Sequence, residues 1–270
     1  MGTVPDDVRR QALHPFSTLP PPDGWRLVEG SHVFVLLHQL PYPQPVEPRE
    51  GLAVTDLDTA IDEARTLVQE HGRGMLAWLT GPDHPWLGDA LARRGLRNED
   101  SPGFESVENA MALLGPPAGD GGEDVEVDVV ESFDAFADGT RVELAAFDVP
   151  ADGRAKMEAE LEERFAEYAT LANPFRRWNA RLENRVVGTA SATVGDAGVN
   201  LFGGGVLADA RGRGVYRALV NARWMLAVKR GTPALTVQAG RMSRPVLERL
   251  GFELIAQMPM YVDEFDRAVS

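Results

Sequence analysis

The chain has 270 residues, enough for two domains of the usual roughly 100–200 residues, and its 44% hydrophobic and 25% charged content is that of a globular protein. A net charge of -14, from 41 acidic against 27 basic residues, argues against nucleic acid as the main partner, because such binding rests on neutralising phosphates. The absence of cysteine excludes disulfides, thiolate metal sites and a cysteine nucleophile, and no apolar run approaches the roughly 20 residues that cross a bilayer.

The N-terminus has neither a basic start nor an apolar core of signal-peptide length, so the expected location is cytoplasmic. Residues 19–24, Leu-Pro-Pro-Pro-Asp-Gly, are excluded from regular structure beyond an extended polyproline segment. Val33 to Leu37 has strand character, and Pro41, Pro43, Pro45 and Pro48 then read as a loop, with a brief strand at Leu52 to Val54. Leu57, Ala60, Ile61, Ala64, Leu67 and Val68 recur at helical spacing behind an N-cap at Thr55 or Asp56, and the helix stops near Gly72. A strand at Met75 to Leu79, a short helix from Pro85 to Arg94 and a strand from Ser106 to Leu114 complete the first half. The Gly- and Pro-rich run from Gly115 to Gly122 reads as a linker, which places the boundary between domains 1–117 and 124–270.

The second half opens on an alternating strand, Val125 to Val130, then a helix from Ser132 to Ala146 and a longer one with the stripe Met157, Leu161, Phe165, Tyr168 and Ala172. Asn173-Pro174 ends it. A hairpin follows around Glu183-Asn184, then a strand through Phe202-Gly203-Gly204-Gly205, a turn, and a helix whose stripe is Val215, Leu219, Ala222 and Leu226. Ala234 to Gln238 is a strand, Pro245 to Leu250 a short helix, and Glu253 to Val262 the last strand. The expected order is β-α-α-β-β-β-α-β-α-β, an α/β fold on a mixed sheet.

The informative turn is Arg211-Gly212-Arg213-Gly214-Val215-Tyr216. Helix starts leave N–H groups unpaired and favour anions, and glycines let that backbone approach a ligand closely. A strand, a Gly-x-Gly turn and a helix flanked by arginines suit a phosphate. Three consecutive glycines in the preceding strand mark either a bulge or close passage of a ligand. A dinucleotide-binding reading also starts here, but Arg217 occupies its third glycine's place and no acidic residue follows Val237-Gln238-Ala239.

The order of elements and these phrases resemble the GNAT superfamily of N-acetyltransferases. Arg211 and Gly214 match its Gln/Arg-x-x-Gly-x-Gly/Ala signature while Tyr216 departs from it, and Leu247-Glu248-Arg249-Leu250-Gly251-Phe252 is similar to its L-Y-x-x-L-G-F phrase. The resemblance covers Val125 to about Phe265. It implies that Val206 and Leu207 offer backbone groups to the pantetheine of acetyl-CoA, and that N–H groups of Arg211, Gly212, Arg213, Gly214, Val215 and Tyr216 hold its pyrophosphate. The first half, ending in Leu91-Ala92-Arg93-Arg94-Gly95-Leu96, resembles a worn copy without the cofactor motif, giving a tandem of two GNAT-like domains; an unrelated α/β cap is the other reading.

Acetyl transfer needs a neutral amine, a donor to the oxyanion and a proton for the thiolate. The family's usual glutamate is absent from the expected strands, and Leu247 stands where its tyrosine would be. Asp148, Glu143 or Glu183 remain as bases, or a water chain; Tyr216, Tyr168, Tyr261 or Ser243 remain as acids, with Ser243 and Tyr216 foremost; direct attack with solvent-assisted transfer is the third account. Ser243 also suits an N-cap. Arg217 and Arg223 lie off the helix stripe, and Arg223 is expected on a solvated face. The five scattered histidines indicate no metal site. The expected activity is acetyl-CoA-dependent N-acetylation of a small-molecule or peptidic amine by a monomer or homodimer, against a non-catalytic acyl-CoA sensor.

Overall fold

The computed structural model describes residues 3–21, 25–38, 42–101, 105–119, 121–170 and 174–265, without the side chain of residue 152. Residues 22–24, Pro41, Asp120, Ala172 and Asn173, which enter the expectations above, lie outside them. The chain forms two compact units that are not consecutive in sequence: one within 1–12, 112–237 and 246–253, the other within 13–111, 238–245 and 254–270. Each unit thus draws on residues from both sides of the glycine run.

The second-named unit holds α2 (Pro15–Thr18), β1 (Arg26–Glu29), β2 (Val33–Leu37), β3 (Gln44–Pro48), α3 (Leu57–Gln69), β4 (Met75–Leu79), α4 (Leu87–Ala92) and most of β5 (Val107–Leu113). It also takes nearly all of the last strand, β11 (Glu253–Glu264). Its sheet runs β1-β2-β3-β4-β11-β5, with β11 antiparallel to β4 from Met260↔Leu79 to Glu264↔Met75. Leu57, Ala60, Ile61, Ala64 and Val68 of α3 pack on Val33, Val35, Val46, Leu76 and Trp78, so the helical stripe read from sequence is the core face. Two expectations fail here. The proline-rich segment contains β3, parallel to β4 over Gln44↔Leu76 to Val46↔Trp78, because alternate residues still supply the ladder where proline has no N–H. Val54–Asp56 is a 3₁₀ turn and not a strand.

The first-named unit begins with α1 (Asp6–Leu13), whose Gln11 Nε2 donates to Thr236 Oγ1 at 2.9 Å. It continues through β6 (Glu126–Val129), α5 (Phe133–Ala146), α6 (Ala151–Ala159), α7 (Leu161–Thr170), β7 (Phe175–Leu182), β8 (Arg185–Val194), β9 (Val199–Val206), α8 (Val215–Arg230) and the start of β10 (Leu235–Ala239). The short helix α9 (Arg244–Arg249) leads back into it from the other unit. The sheet order is β10-β9-β8-β7-β6, with β9 and β10 parallel and the rest antiparallel. The single long helix expected after Pro150 is two helices, broken at Glu160. Phe136, Phe165 and Tyr168 stack where α7 meets α5. The hairpin turn uses Glu183 and Asn184 in the left-handed region, at φ 52° and 64°.

Candidate active site

Only the first three residues of β9 pair with β10, Val199↔Leu235 to Leu201↔Val237. On its other side β9 stays with β8 to the end, but the register slips: Ser191 faces Phe202 while Thr189 faces Gly205, three residues against two. That is a β-bulge, and Gly203 takes it up in the left-handed region at φ 59°. The three glycines are thus explained by the bulge and by close packing on both faces. A methyl on Gly205 would lie 2.8 Å from Ala146 Cβ, and one on Gly204 would lie 3.1 Å from the Tyr216 ring.

Beyond the bulge the ladder decides which backbone groups are available. Leu207 N–H donates to Val187 O at 2.9 Å, and Leu207 O accepts from Ala210 N–H at 3.0 Å. Gly188↔Val206 is therefore the non-hydrogen-bonded pair, and the N–H and C=O of Val206 turn away from β8 to the side that β10 has left. Of the two expected pantetheine contacts, Val206 has the outward N–H and Leu207 does not. The Val206 carbonyl takes a bond of 3.2 Å from Arg211 Nε.

The turn that follows places Gly212 and Gly214 at φ 79° and 84°, conformations that favour glycine. Gly214 caps α8 without any side-chain acceptor, and among the described residues the backbone bond at this start is Ala218 N–H to Gly214 O. Among the described residues, the N–H groups of Gly212, Arg213, Gly214, Val215 and Tyr216 have no intramolecular acceptor. Arg211 and Arg213 are exposed on either side, with Arg213 paired to Glu183 at 3.5 Å. A row of unpaired N–H groups, a helix dipole of 16 residues and two arginines make an anion cradle.

The expected linker is part of this cradle. Gly119 O accepts from Asn221 Nδ2 at 3.3 Å, and Ala118 N–H donates to Leu250 O at 2.9 Å. A methyl on Gly121 would lie 2.7 Å from Ala218 Cβ; one on Gly122 would strike Arg213 O; and one on Gly214 would lie 2.5 Å from Gly122 N. Gly121 and Gly122 serve close approach, and Gly214 combines it with a left-handed backbone.

Tyr216, the departure from the signature, turns its ring onto Gly204 and reaches the guanidinium of Arg223. Arg223 is only 1% exposed, a correction to the solvated face expected for it. Its Nε donates to Leu219 O at 2.9 Å and its Nη1 to Ser191 O at 3.3 Å, which lets a cation sit between α8 and β8. Burial lowers its pKa to about 10, offset by Tyr216, and burial raises that of the Tyr216 phenol, offset by Arg223. The buried face of α8 is Val215, Ala218, Leu219, Val220, Arg223, Trp224 and Ala227, with Ala222 and Leu226 only half-buried.

The acid and base candidates scatter. Tyr168 donates to Val130 O at 2.7 Å, and Tyr261 packs in the core of the other unit. Ser243 also belongs to that unit, where its Oγ donates to Gly240 O at 3.1 Å. Asp148 is exposed in the turn after α5 at φ 50°, and Glu183 is exposed at the hairpin tip. Glu143, on α5, is different. Its Oε2 accepts from Arg177 Nη2 at 2.8 Å, and its Oε1 lies 3.6 Å from the place of a methyl on Gly203. Arg177, 4% exposed, crosses the Phe136 ring at 4.8 Å. Sequence alone gave Arg177 no role, because it shares its strand face with Asn179 and Arg181 and only burial singles it out. Among the described residues no group of three or more metal-ligating side chains occurs, and no helix is long and apolar enough to cross a membrane.

Residues 142–252 match the model of the acetyltransferase (GNAT) family. The fold is similar to that of a GCN5-related N-acetyltransferase from Kribbella flavida, at TM-score 0.70, 17% identity and 97% coverage of each chain. One from Sphaerobacter thermophilus gives TM-score 0.60 and 14% identity over 87% of this chain and 81% of the other. A tandem GNAT protein from the clavulanic acid biosynthesis pathway gives TM-score 0.59 and 15% identity over 98% of this chain and 89% of the other. No protein of curated function matches the sequence.

Proposed function

We propose that this chain transfers an acetyl group from acetyl-CoA to a primary amine of a small molecule or peptide; the match of residues 142–252 to the acetyltransferase (GNAT) family model and the likeness of the fold support this reading. The observation that carries the reading is the pairing of an open strand edge at Val206 with an unpaired row of N–H groups from Gly212 to Tyr216. Val206 would receive the pantetheine amide, and the N–H groups with Arg211 and Arg213 the pyrophosphate. Bound there, acetyl-CoA supplies an acyl group already activated as a thioester. The protein's own part is to align the acceptor nitrogen and manage its proton. The acidic surface assists a cationic acceptor by steering. Residues 1–117 are read as the copy without the cofactor motif.

Calorimetric titration of acetyl-CoA tests the cradle. Reversing Arg211→Glu together with Arg213→Glu is expected to weaken binding by about 100-fold, some 2.7 kcal/mol, in the range for charge-assisted phosphate contacts. Unchanged affinity sinks the assignment. A second reading, a non-catalytic acyl-CoA sensor, is favoured by the absence of the family's tyrosine, replaced by buried Leu247. Saturable binding without thiol release on any amine would select it.

A further inference from the structure

We infer that Glu143 is the catalytic base of the acetyl transfer, receiving the acceptor amine on its Oε1 at the β9 bulge, with Arg177 as the residue that positions it; this rests on the acetyl-CoA reading above. Glu143 stands on α5, not on β9 or β10, and its carboxylate lies against the β9 bulge at Gly203. Gly203 at φ 59° has no side chain on the α5 side, and the Glu143 carboxylate occupies the space above it, in van der Waals reach of the position a methyl would take. Ser191 borders the same place at 3.7 Å.

The two oxygens of Glu143 have different employment. Oε2 is held by Arg177 Nη2 at 2.8 Å, and that arginine is fixed in turn by Thr140 Oγ1 at 3.5 Å and by the Phe136 ring. Among the described residues Oε1 has no hydrogen-bond donor, and the side chain keeps 29% exposure. A carboxylate with one oxygen tied down and the other lying without a donor over Gly203 is oriented for a cation or an N–H. The other carboxylates considered lack this. Asp148 sits in the turn beyond the helix, and the Glu183 side chain, 83% exposed, is paired with Arg213.

The chemistry balances without any further reagent. The lone pair of the neutral amine nitrogen forms the C–N bond to the thioester carbonyl carbon, and the C–S bond breaks with its electrons remaining on sulfur. The nitrogen gives one proton to Glu143 Oε1, which passes it to solvent, and the thiolate takes one proton from solvent. An acceptor arriving as an ammonium ion gives up its extra proton beforehand through the same oxygen.

The test uses the full chain with ethanolamine, benzylamine, putrescine and glycylglycine as acceptors, following thiol release. Glu143→Gln keeps the shape and an oxygen for Arg177. It is expected to bind acetyl-CoA within about 2-fold of the wild type while kcat/KM for the accepted amine falls at least about 100-fold, the lower end of general-base effects. Glu143→Asp is expected to recover part of the loss. Calorimetry of the accepted amine on CoA-loaded protein gives a readout apart from turnover: affinity is expected to drop at least about 10-fold in Glu143→Gln. Should Arg177 prove to misfold the single variant, Glu143→Gln with Arg177→Gln removes the unpaired cation, and the same loss is expected there. Asp148→Asn is the control and is expected to leave kcat/KM unchanged. Wild-type rates in Glu143→Gln, alone or with Arg177→Gln, overturn the assignment while leaving the acetyl-CoA reading intact. Absence of acetyl-CoA binding by the wild type overturns that reading first, and binding without turnover of any acceptor overturns both transfer and base.

Discussion

Gly212 and Gly214 share a left-handed backbone but not an environment, and substitution separates the two causes. Gly212 has nothing within 4 Å of a new methyl, so Gly212→Ala is expected to cost only the conformational strain, about 1 kcal/mol. Gly214→Ala adds a backbone clash against Gly122, and a total of about 3 kcal/mol or more follows from strain plus overpacking. Urea unfolding of both variants checks this, and equal losses would show that the contact with Gly122 has no weight. The glycine signature was legible because its chemistry is local: the turn, the arginines and the helix start all lie within six residues. Tyr216 was legible only as a departure. Its tolerance depends on Gly204, a residue that contacts it through the fold and not through the sequence.

Among the elements, α8 shows how far a periodic pattern can mislead. Counting apolar residues assigned Arg223 to water, whereas the helix turns that position into the sheet and two backbone carbonyls make the burial possible. No local rule announces such a partner, because Ser191 is 32 residues away. A buried cation held by two carbonyls and the Tyr216 hydroxyl, with no carboxylate partner, costs desolvation, so Arg223→Met, which fills the same space, is expected to change stability by less than about 1 kcal/mol or to raise it. Arg223→Ala is expected to lose about 2–4 kcal/mol through the cavity. Chemical denaturation distinguishes them, and a large loss in Arg223→Met would mean the charge itself holds α8 against the sheet. Strands β6 to β9 were read correctly from alternation and the hairpin turn. β3 was missed because its two prolines outweigh, in any local reading, the pairing it gains between β2 and β4. The bulge in β9 was one of two explanations of the glycine run, and the register shift shows that it is present.

For the whole molecule, the GNAT order of elements was legible, while the allocation of the last strand was not. β11 follows the second half in sequence but pairs with β4, and Arg65 of α3 holds Asp263 through two bonds of 2.9 and 2.8 Å. Strand pairing across some 180 residues leaves no mark on composition or spacing. A fragment of 124–270 is therefore expected to fail as a folded domain: it keeps β11 without β4 and loses Ala118 to Gly122 from the cradle. Size-exclusion chromatography and a thermal melt followed by circular dichroism should show aggregation or no cooperative transition. A soluble, sharply melting fragment would refute this.

The seating of Gly121 and Gly122 against Arg213 and Ala218 has a consequence for how the chain can change over generations. Connecting segments ordinarily tolerate insertions and drift, since length costs little entropy. This one is held to a fixed length and to residues without side chains by the turn it touches. Among close homologues, the connector is expected to vary no more than the signature itself, and a gain of bulk at residue 122 should occur only where residues 213–214 have changed as well.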